Sequence, residues 1–229
     1  AMGFLKDLLF PKMCAGCGAI GSFVCLRCRT KLLVLEKQRC FYCKSPSLYG
    51  FTHPTCKKQF GVDGVISIYS YNPFLKKLLK TAKYRLAKEA LDELLDLSTV
   101  PTGLLLYSTN THFDELSLQP IPLHSSRLRA RGFNQGEVIC TFLQSLKRSV
   151  KVLDILYRYH NTPAQAQMRT RLKRYKNMHS AFRTKKVKIP KEILLIDDVI
   201  TTGSTIRSAT ETLKRAGVEK VVAFSLARG

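Results

Sequence analysis

Negative charge is scarce in this chain. Its 229 residues carry 16 Asp and Glu against 38 Lys and Arg, a formal net charge of +22. A field of that sign attracts phosphate groups without choosing among them, so a polyanion partner is expected. Long apolar runs are missing as well, and none approaches the roughly 20 residues needed to cross a bilayer. Near the start, Phe4, Leu5, Leu8, Leu9 and Phe10 are interrupted by Lys6 and Asp7, too short a pattern for a signal peptide. We therefore expect a cytoplasmic protein. The pattern G-x-x-x-x-G-K-[ST] is absent, which argues against a P-loop ATPase. Gly16-Cys17-Gly18-Ala19-Ile20-Gly21 does match G-x-G-x-x-G, but no strand precedes it and no helix opens from it, so it is not read as a dinucleotide site.

What is present begins with cysteine. The pairs Cys14-x-x-Cys17, Cys25-x-x-Cys28 and Cys40-x-x-Cys43 are followed by His53-x-x-Cys56, so residues 14–56 supply eight ligands, enough for two tetrahedral zinc sites. In a cytoplasmic chain such cysteines bind metal rather than pair as disulfides. A segment this short lacks the apolar mass to fold without an ion. Sequential pairing groups Cys14, Cys17, Cys25 and Cys28, then Cys40, Cys43, His53 and Cys56; interleaved pairing is the alternative. His53 precedes Pro54, so a turn residue competes with the ligand reading. Cys140, alone in an apolar helical pattern, is read as core.

Past Gly61 the composition turns to that of a globular domain, and the boundary is placed there, 1–60 against 61–229. Val65, Ile66, Ile68 and Tyr69 read as a strand, and the apolar residues from Phe74 to Leu95 follow helical spacing with charges between them. Leu118–Leu123 reads as a short extended strand, Asn134 as the cap of a helix carrying Val138, Ile139, Phe142, Leu143 and Leu146, and Val152–Tyr157 as a further strand. Arg171–Met178 is basic, helical or mobile. Thr205–Gly217 reads as a helix ending at glycine and Lys220–Leu226 as a last strand. Strands alternating with helices give an α/β fold with a mainly parallel sheet.

The rest is organised around Glu192–Ile206. Ile193, Leu194, Leu195 and Ile196 read as a buried parallel strand, Asp197 and Asp198 stand at its end, and Thr201, Thr202, Gly203, Ser204 and Thr205 run into a helix. Ligands of open α/β sheets bind beyond the carboxyl ends of strands, where two acceptors can hold vicinal hydroxyls. The loop offers hydroxyls, a glycine that lets N–H groups approach an anion, and a helix N-terminus. Adjacent carboxylates repel phosphate unless a cation or sugar hydroxyls intervene, which suits a sugar phosphate with a divalent metal.

Leu194–Thr205 resembles the phosphoribosyl pyrophosphate (PRPP) signature of type I phosphoribosyltransferases. Together with the N-terminal cysteine pairs and the stretch Pro120-Ile121-Pro122-Leu123-His124 leading to Arg131-Gly132-Phe133-Asn134-Gln135, it is similar to the ComF/ComFC family of bacterial competence proteins. That resemblance implies a small N-terminal zinc-ribbon module joined to a sheet of the type I phosphoribosyltransferase kind. It implies handling of imported single-stranded DNA in natural transformation, with other DNA-uptake proteins at the inner membrane as partners and peripheral attachment there. Carried over by motif, Asp197 and Asp198 face the ribose hydroxyls, Thr201 to Thr205 the 5-phosphate, and the loop after Leu123, with His124, Arg127 and Arg131, the pyrophosphate with magnesium. Arg158–Phe182, with Thr162, Gln165, Arg169 and Asn177, is similar to the family's basic flap. The departure is His53 where a cysteine completes the fourth pair.

The charge distribution bears on DNA. Residues 1–60 hold 10 basic and 2 acidic side chains, net +8, and residues 151–192 hold 12 and 2, net +10. Arg169, Arg171, Lys173, Arg174 and Lys176 are the candidate backbone contacts for a single strand, with Phe133, Tyr157, Tyr159, Tyr175 and Phe182 interspersed among basic residues. Two readings stand: a DNA-handling protein whose site binds PRPP or nucleic-acid phosphates, and an active phosphoribosyltransferase of nucleotide metabolism using PRPP and magnesium. The loop keeps the second open; the charge and the cysteines favour the first.

Overall fold

The computed structural model describes residues 11–83, 88–101, 104, 117–146, 150–159 and 181–229. Five parallel strands form the main sheet in the order β1-β7-β6-β2-β3, with β1 Gly64–Ser70, β2 Ser117–Pro120, β3 Lys151–Val152, β6 Glu192–Ile200 and β7 Lys220–Arg228. The apolar run Ile193–Ile196 is fully buried at the sheet's centre, because helices cover both faces and no residue of the run can turn to water. One face packs Leu194, Ile196, Val222 and Phe224 against helices α2 Pro73–Thr81, α3 Lys88–Asp96 and α5 Gln135–Leu146, through Leu75, Leu78, Leu91, Leu94, Ile139 and Leu143. The other packs Ile193, Leu195, Val221 and Ala223 against helix α6 Ser204–Arg215 through Ile206, Ala209 and Leu213. This is the parallel architecture the alternating pattern implies, of the phosphoribosyltransferase kind.

Local chemistry fixes the helix ends. Asn72 accepts the Leu75 N–H through its side chain at 2.8 Å and Pro73 begins α2. Asn134 caps α5: its Oδ1 accepts the Gly136 N–H at 3.0 Å, and its Nδ2 donates to the Ile121 carbonyl. Gly217, with φ +110, ends α6. Cys140 is buried in α5, as its pattern implies, and burial pushes its thiol up to about 12.

Two stretches differ from the sequence reading, and a third lies beyond the described residues. Arg127–Arg131, read as a loop, lies in a two-turn helix, α4 Ser125–Arg131, closed by Gly132 at φ +83. Its apolar content is too low to show a period. Val152–Tyr157 is two strands: β3 stays in the sheet, and β4 Leu156–Arg158 leaves it to pair antiparallel with β5 Phe182–Thr184. The break is held by Gln119, whose buried Oε1 accepts the N–H groups of Ile155 and Leu156 in place of a strand partner. Most of the flap, 160–180, lies outside the described residues, and with it Arg169, Arg171, Lys173, Arg174 and Lys176.

The cysteine segment, which contains the short helix α1 Leu26–Arg29, is packed onto this sheet. Strand β1 is an edge, and an open edge is a template for aggregation. Here residues 33–51 cover it: Leu35 N–H donates to Ile68 O, Ser70 N–H to Leu33 O, and Gln38 exchanges both amide bonds with the Ser67 backbone at 2.8 and 3.1 Å. Phe51 bridges Gly64. On the helical side, Glu93 of α3 accepts the N–H groups of Phe23 and Val24 at 3.0 and 2.8 Å.

Candidate functional site

Cys14, Cys17, Cys25 and Cys28 form one group of converging ligand atoms, and Cys40, Cys43, His53 and Cys56 another; within each, all the atoms lie within 4.8 Å of one another. This is the sequential grouping. Around a tetrahedral zinc with bonds of about 2.3 Å, two thiolates sit about 3.8 Å apart. Cys17 and Cys25 are 3.6 Å apart and Cys43 Sγ is 3.4 Å from His53 Nδ1, so both donor sets fit a metal ion. His53 occupies the residue before a 3-10 turn, Pro54–Cys56, as a turn residue would, yet its ring also points inward. Its Nε2 lies 3.1 Å from the Pro46 carbonyl; a proton donated there leaves Nδ1 with a lone pair toward the three thiols. The thiols are already unequal. Burial raises Cys14, but N–H groups of Cys17, Cys25 and Gly16 outweigh it and bring the thiol down to about 6, while burial and its neighbours drive Cys28 up to about 12. Gly18, at φ +77, lies in the turn between Met13 and Ile20, and Gly21, at φ +116, follows it and donates its N–H to the Lys12 carbonyl.

The crevice follows from unequal strand lengths. Strand β2 pairs with β6 only as far as Pro120 opposite Ile196, whereas β6 continues along β7 to Ile200 opposite Arg228. From Asp197 onward β6 therefore has an open side, and the acidic pair stands there, inside the strand rather than past its end. Gly136 at the start of α5 closes over it, so near the Ile196 carbonyl and Pro120 that a β-carbon would sit 3.2 Å from each.

Asp197 Oδ1 accepts the Asp198 N–H at 2.9 Å, and Asp198 Oδ1 the Val199 N–H at 3.0 Å. Lys83 Nζ lies 3.1 Å from Asp198 Oδ2. Asp197 keeps part of its surface toward the crevice, yet burial, followed by the charge of Asp198, raises its carboxyl well above the ordinary range, with Lys83 opposing. Arg131 and Arg158 are each lowered first by burial, raised by the field of Asp197, and lowered by that of Arg127; Asp198 also raises Arg131. The structure thus places Arg131 and Arg158 in the field of the acidic pair, with Arg127 near those two arginines, and adds Lys83, which the sequence reading missed. Lys83 lies far upstream in an amphipathic stretch where a lysine reads as solvated charge, and no local signal marks it. Arg131 Nη1 also donates to Gln135 Oε1 at 3.2 Å. His124 sits at the start of α4 instead, where its Nδ1 lies 2.8 Å from the Ser126 hydroxyl.

The loop turns tightly after β6. Thr201 and Thr202 are exposed, Gly203 is buried at φ +71 as the N-cap of α6, and Thr202 Oγ1 accepts the Ser204 N–H at 3.4 Å. Thr202 and Ser204 hydroxyls are 3.0 Å apart. Two carboxylates, nearby cations and a hydroxyl-bearing turn at the N-terminus of a twelve-residue helix can hold a group that is polyhydroxylated at one end and anionic at the other.

Comparison with known proteins bears on the family and the fold. The family model described as phosphoribosyl transferase domain matches residues 141–229. Competence protein ComFC of Streptococcus pneumoniae is 31% identical over 173 residues, which cover 76% of this chain and 71% of that protein. Competence protein F of Haemophilus influenzae is 32% identical over 112 residues, 48% of each chain. DNA utilization protein YhgH of Escherichia coli K12 is 27% identical over 236 residues, 96% of this chain and 99% of that protein.

Proposed function

This chain belongs to the ComF/ComFC family of competence proteins, and on that footing we propose that it handles imported single-stranded DNA in natural transformation while its crevice binds PRPP or a similar sugar phosphate. The observation that carries the crevice assignment is the open side of β6, where Asp198 pairs with Lys83 and the field of the acidic pair reaches Arg131 and Arg158, at the foot of the Thr201–Thr205 loop. In this reading the carboxylates accept the ribose hydroxyls, and the loop hydroxyls with the α6 N-terminus surround the 5-phosphate. Arg127, Arg131 and Arg158 balance the pyrophosphate, with His124 at the rim. Magnesium, when bound, lowers the repulsion between the acidic pair and the phosphates. Zinc fills the two groups at the N-terminus, and the cysteine segment, residues 1–60, acts as a module serving the domain 61–229.

The β4–β5 ribbon supports the DNA part. Tyr157 and Tyr159 are exposed on its outer face, Arg183 is paired across from Tyr157, and its guanidinium lies 3.9 Å from the Tyr159 ring centroid. Cations interleaved with aromatic faces suit a single strand, whose bases stack while its phosphates are neutralised. The ribbon's other face carries Arg158 toward the crevice, so the two activities meet in one element.

Two assays on the purified chain test this. Fluorescence anisotropy with labelled single strands should show binding that weakens steeply with salt. Pyrophosphate release from PRPP, measured with a panel of bases and amines, should stay at background; release dependent on one acceptor would turn the reading into that of an active phosphoribosyltransferase.

A further inference from the structure

The second ligand group and the phosphate-type loop are one packed unit. Gly203 lies so close to Phe41 that a β-carbon would collide with the ring, and Phe41 stands between Cys40 and Cys43, two of the four ligands. Phe41 is 1% exposed and meets Tyr42 edge to face, centroids 5.3 Å apart. Arg207, in the first turn of α6, lays its guanidinium over both rings, 4.6 Å from Phe41 and 5.1 Å from Tyr42, and its backbone N–H donates to the Gly203 carbonyl. The other flank of the loop is tied to the same knuckle. Arg228, opposite Ile200, donates to the carbonyls of Arg39 and Cys40 at 2.7 and 3.4 Å. The loop is therefore held before Thr201 and at Gly203 by the backbone and rings of the Arg39–Cys43 knuckle, whose own shape depends on its ligands converging.

We propose that ion occupancy of the Cys40, Cys43, His53 and Cys56 group orders the Thr201–Thr205 loop, with Phe41 as the positioning residue between them. Metal and anion affinity are then linked, each raising the other. The linkage to anions rests on the reading of the loop as a phosphate site; the ordering does not.

Hydrogen exchange of the 201–206 amides in the full chain tests the ordering without any ligand. Exchange there should quicken at least tenfold in Phe41→Ala with bound zinc unchanged, and in His53→Ala with one equivalent lost, while the α5 amides, remote from the knuckle, exchange as before. PRPP affinity should fall about tenfold in both variants. If Phe41→Ala does not fold, Phe41→Leu takes its place, paired with Gly203→Ala: the alanine should quicken loop exchange more in the native background than in the Phe41→Leu background, where the side chain facing it is smaller. Unchanged loop exchange in the position-41 and His53 variants overturns the proposal. Absence of PRPP binding by the native chain, with the exchange result intact, removes the phosphate reading alone.

Discussion

Lys83 Nζ stands 3.1 Å from Asp198 Oδ2, a cation supplied from just beyond helix α2 to the mouth of the crevice. The Asp198 side chain is 16% exposed and the Lys83 side chain 34%, so solvent screens the pair only in part. Lys83→Met should lower stability by about 1 kcal/mol at most in urea denaturation. In the background of Asp198→Asn the same change should cost almost nothing. Equal losses in both backgrounds would mean that Lys83 contributes through packing rather than as a counter-ion.

Asp197 gives a pH dependence with a definite sign. Its folded carboxyl is raised by burial and by Asp198, whereas in the unfolded chain it titrates near the ordinary value of about 3.9. Between those two values the folded state holds the proton and the unfolded state has lost it. Stability from this group is therefore present at low pH and lost as pH rises toward the folded value, at up to about 1.4 kcal/mol per pH unit. Asp197→Asn removes this loss, so the variant should gain on the native chain as pH rises from about 4 until the folded value is reached. A constant difference across that range would place the Asp197 carboxyl in ordinary solvent.

Much of this was legible in the sequence, for physical reasons that differ by element. Ile193–Ile196 read as a buried parallel strand and Asn134, before an apolar helical period, as a cap, and the structure has both; each signal is local. Knuckle spacing gave the four ligand pairs and left sequential and interleaved grouping open; the structure shows the sequential one and adds the Pro46 carbonyl that orients His53. Lys83, Phe41 and the β4–β5 pairing were not legible. Each acts through a partner far away in the chain: Lys83 with Asp198, Phe41 with Gly203, Arg158 with Phe182. The aromatic pair inside Cys40-x-x-Cys43 was the one available hint, since so large an apolar residue in a knuckle needs something to pack against.

Metal content follows from the two donor sets. Protein purified without chelator should carry two equivalents of zinc, and Cys14→Ser and His53→Ala should each leave one. Cys14→Ser should loosen the contact of Phe23 and Val24 with Glu93, seen as a lower first transition in thermal unfolding. One equivalent in the native chain, unchanged in His53→Ala, would make His53 a turn residue.

DNA affinity should depend on charge and stacking separately. Reversing Arg171, Lys173, Arg174 and Lys176 should weaken single-strand binding alike for every sequence and flatten the salt slope by about 0.7 for each phosphate no longer neutralised. Tyr157→Ala with Tyr159→Ala should weaken binding while leaving that slope intact, because stacking releases no counter-ions. A slope unchanged by charge reversal would move the DNA track to the cysteine segment, the other concentration of positive charge.

The crevice is the centre of the account, and calorimetric titration of PRPP with magnesium tests it most directly. The native chain should bind, and Asp197→Asn with Asp198→Asn, which keeps side-chain size while replacing both carboxyl groups, should bind at least tenfold more weakly with the fold intact by circular dichroism. Equal affinity in the native and doubly substituted chains would contradict the assignment of the acidic pair as the sugar-phosphate site.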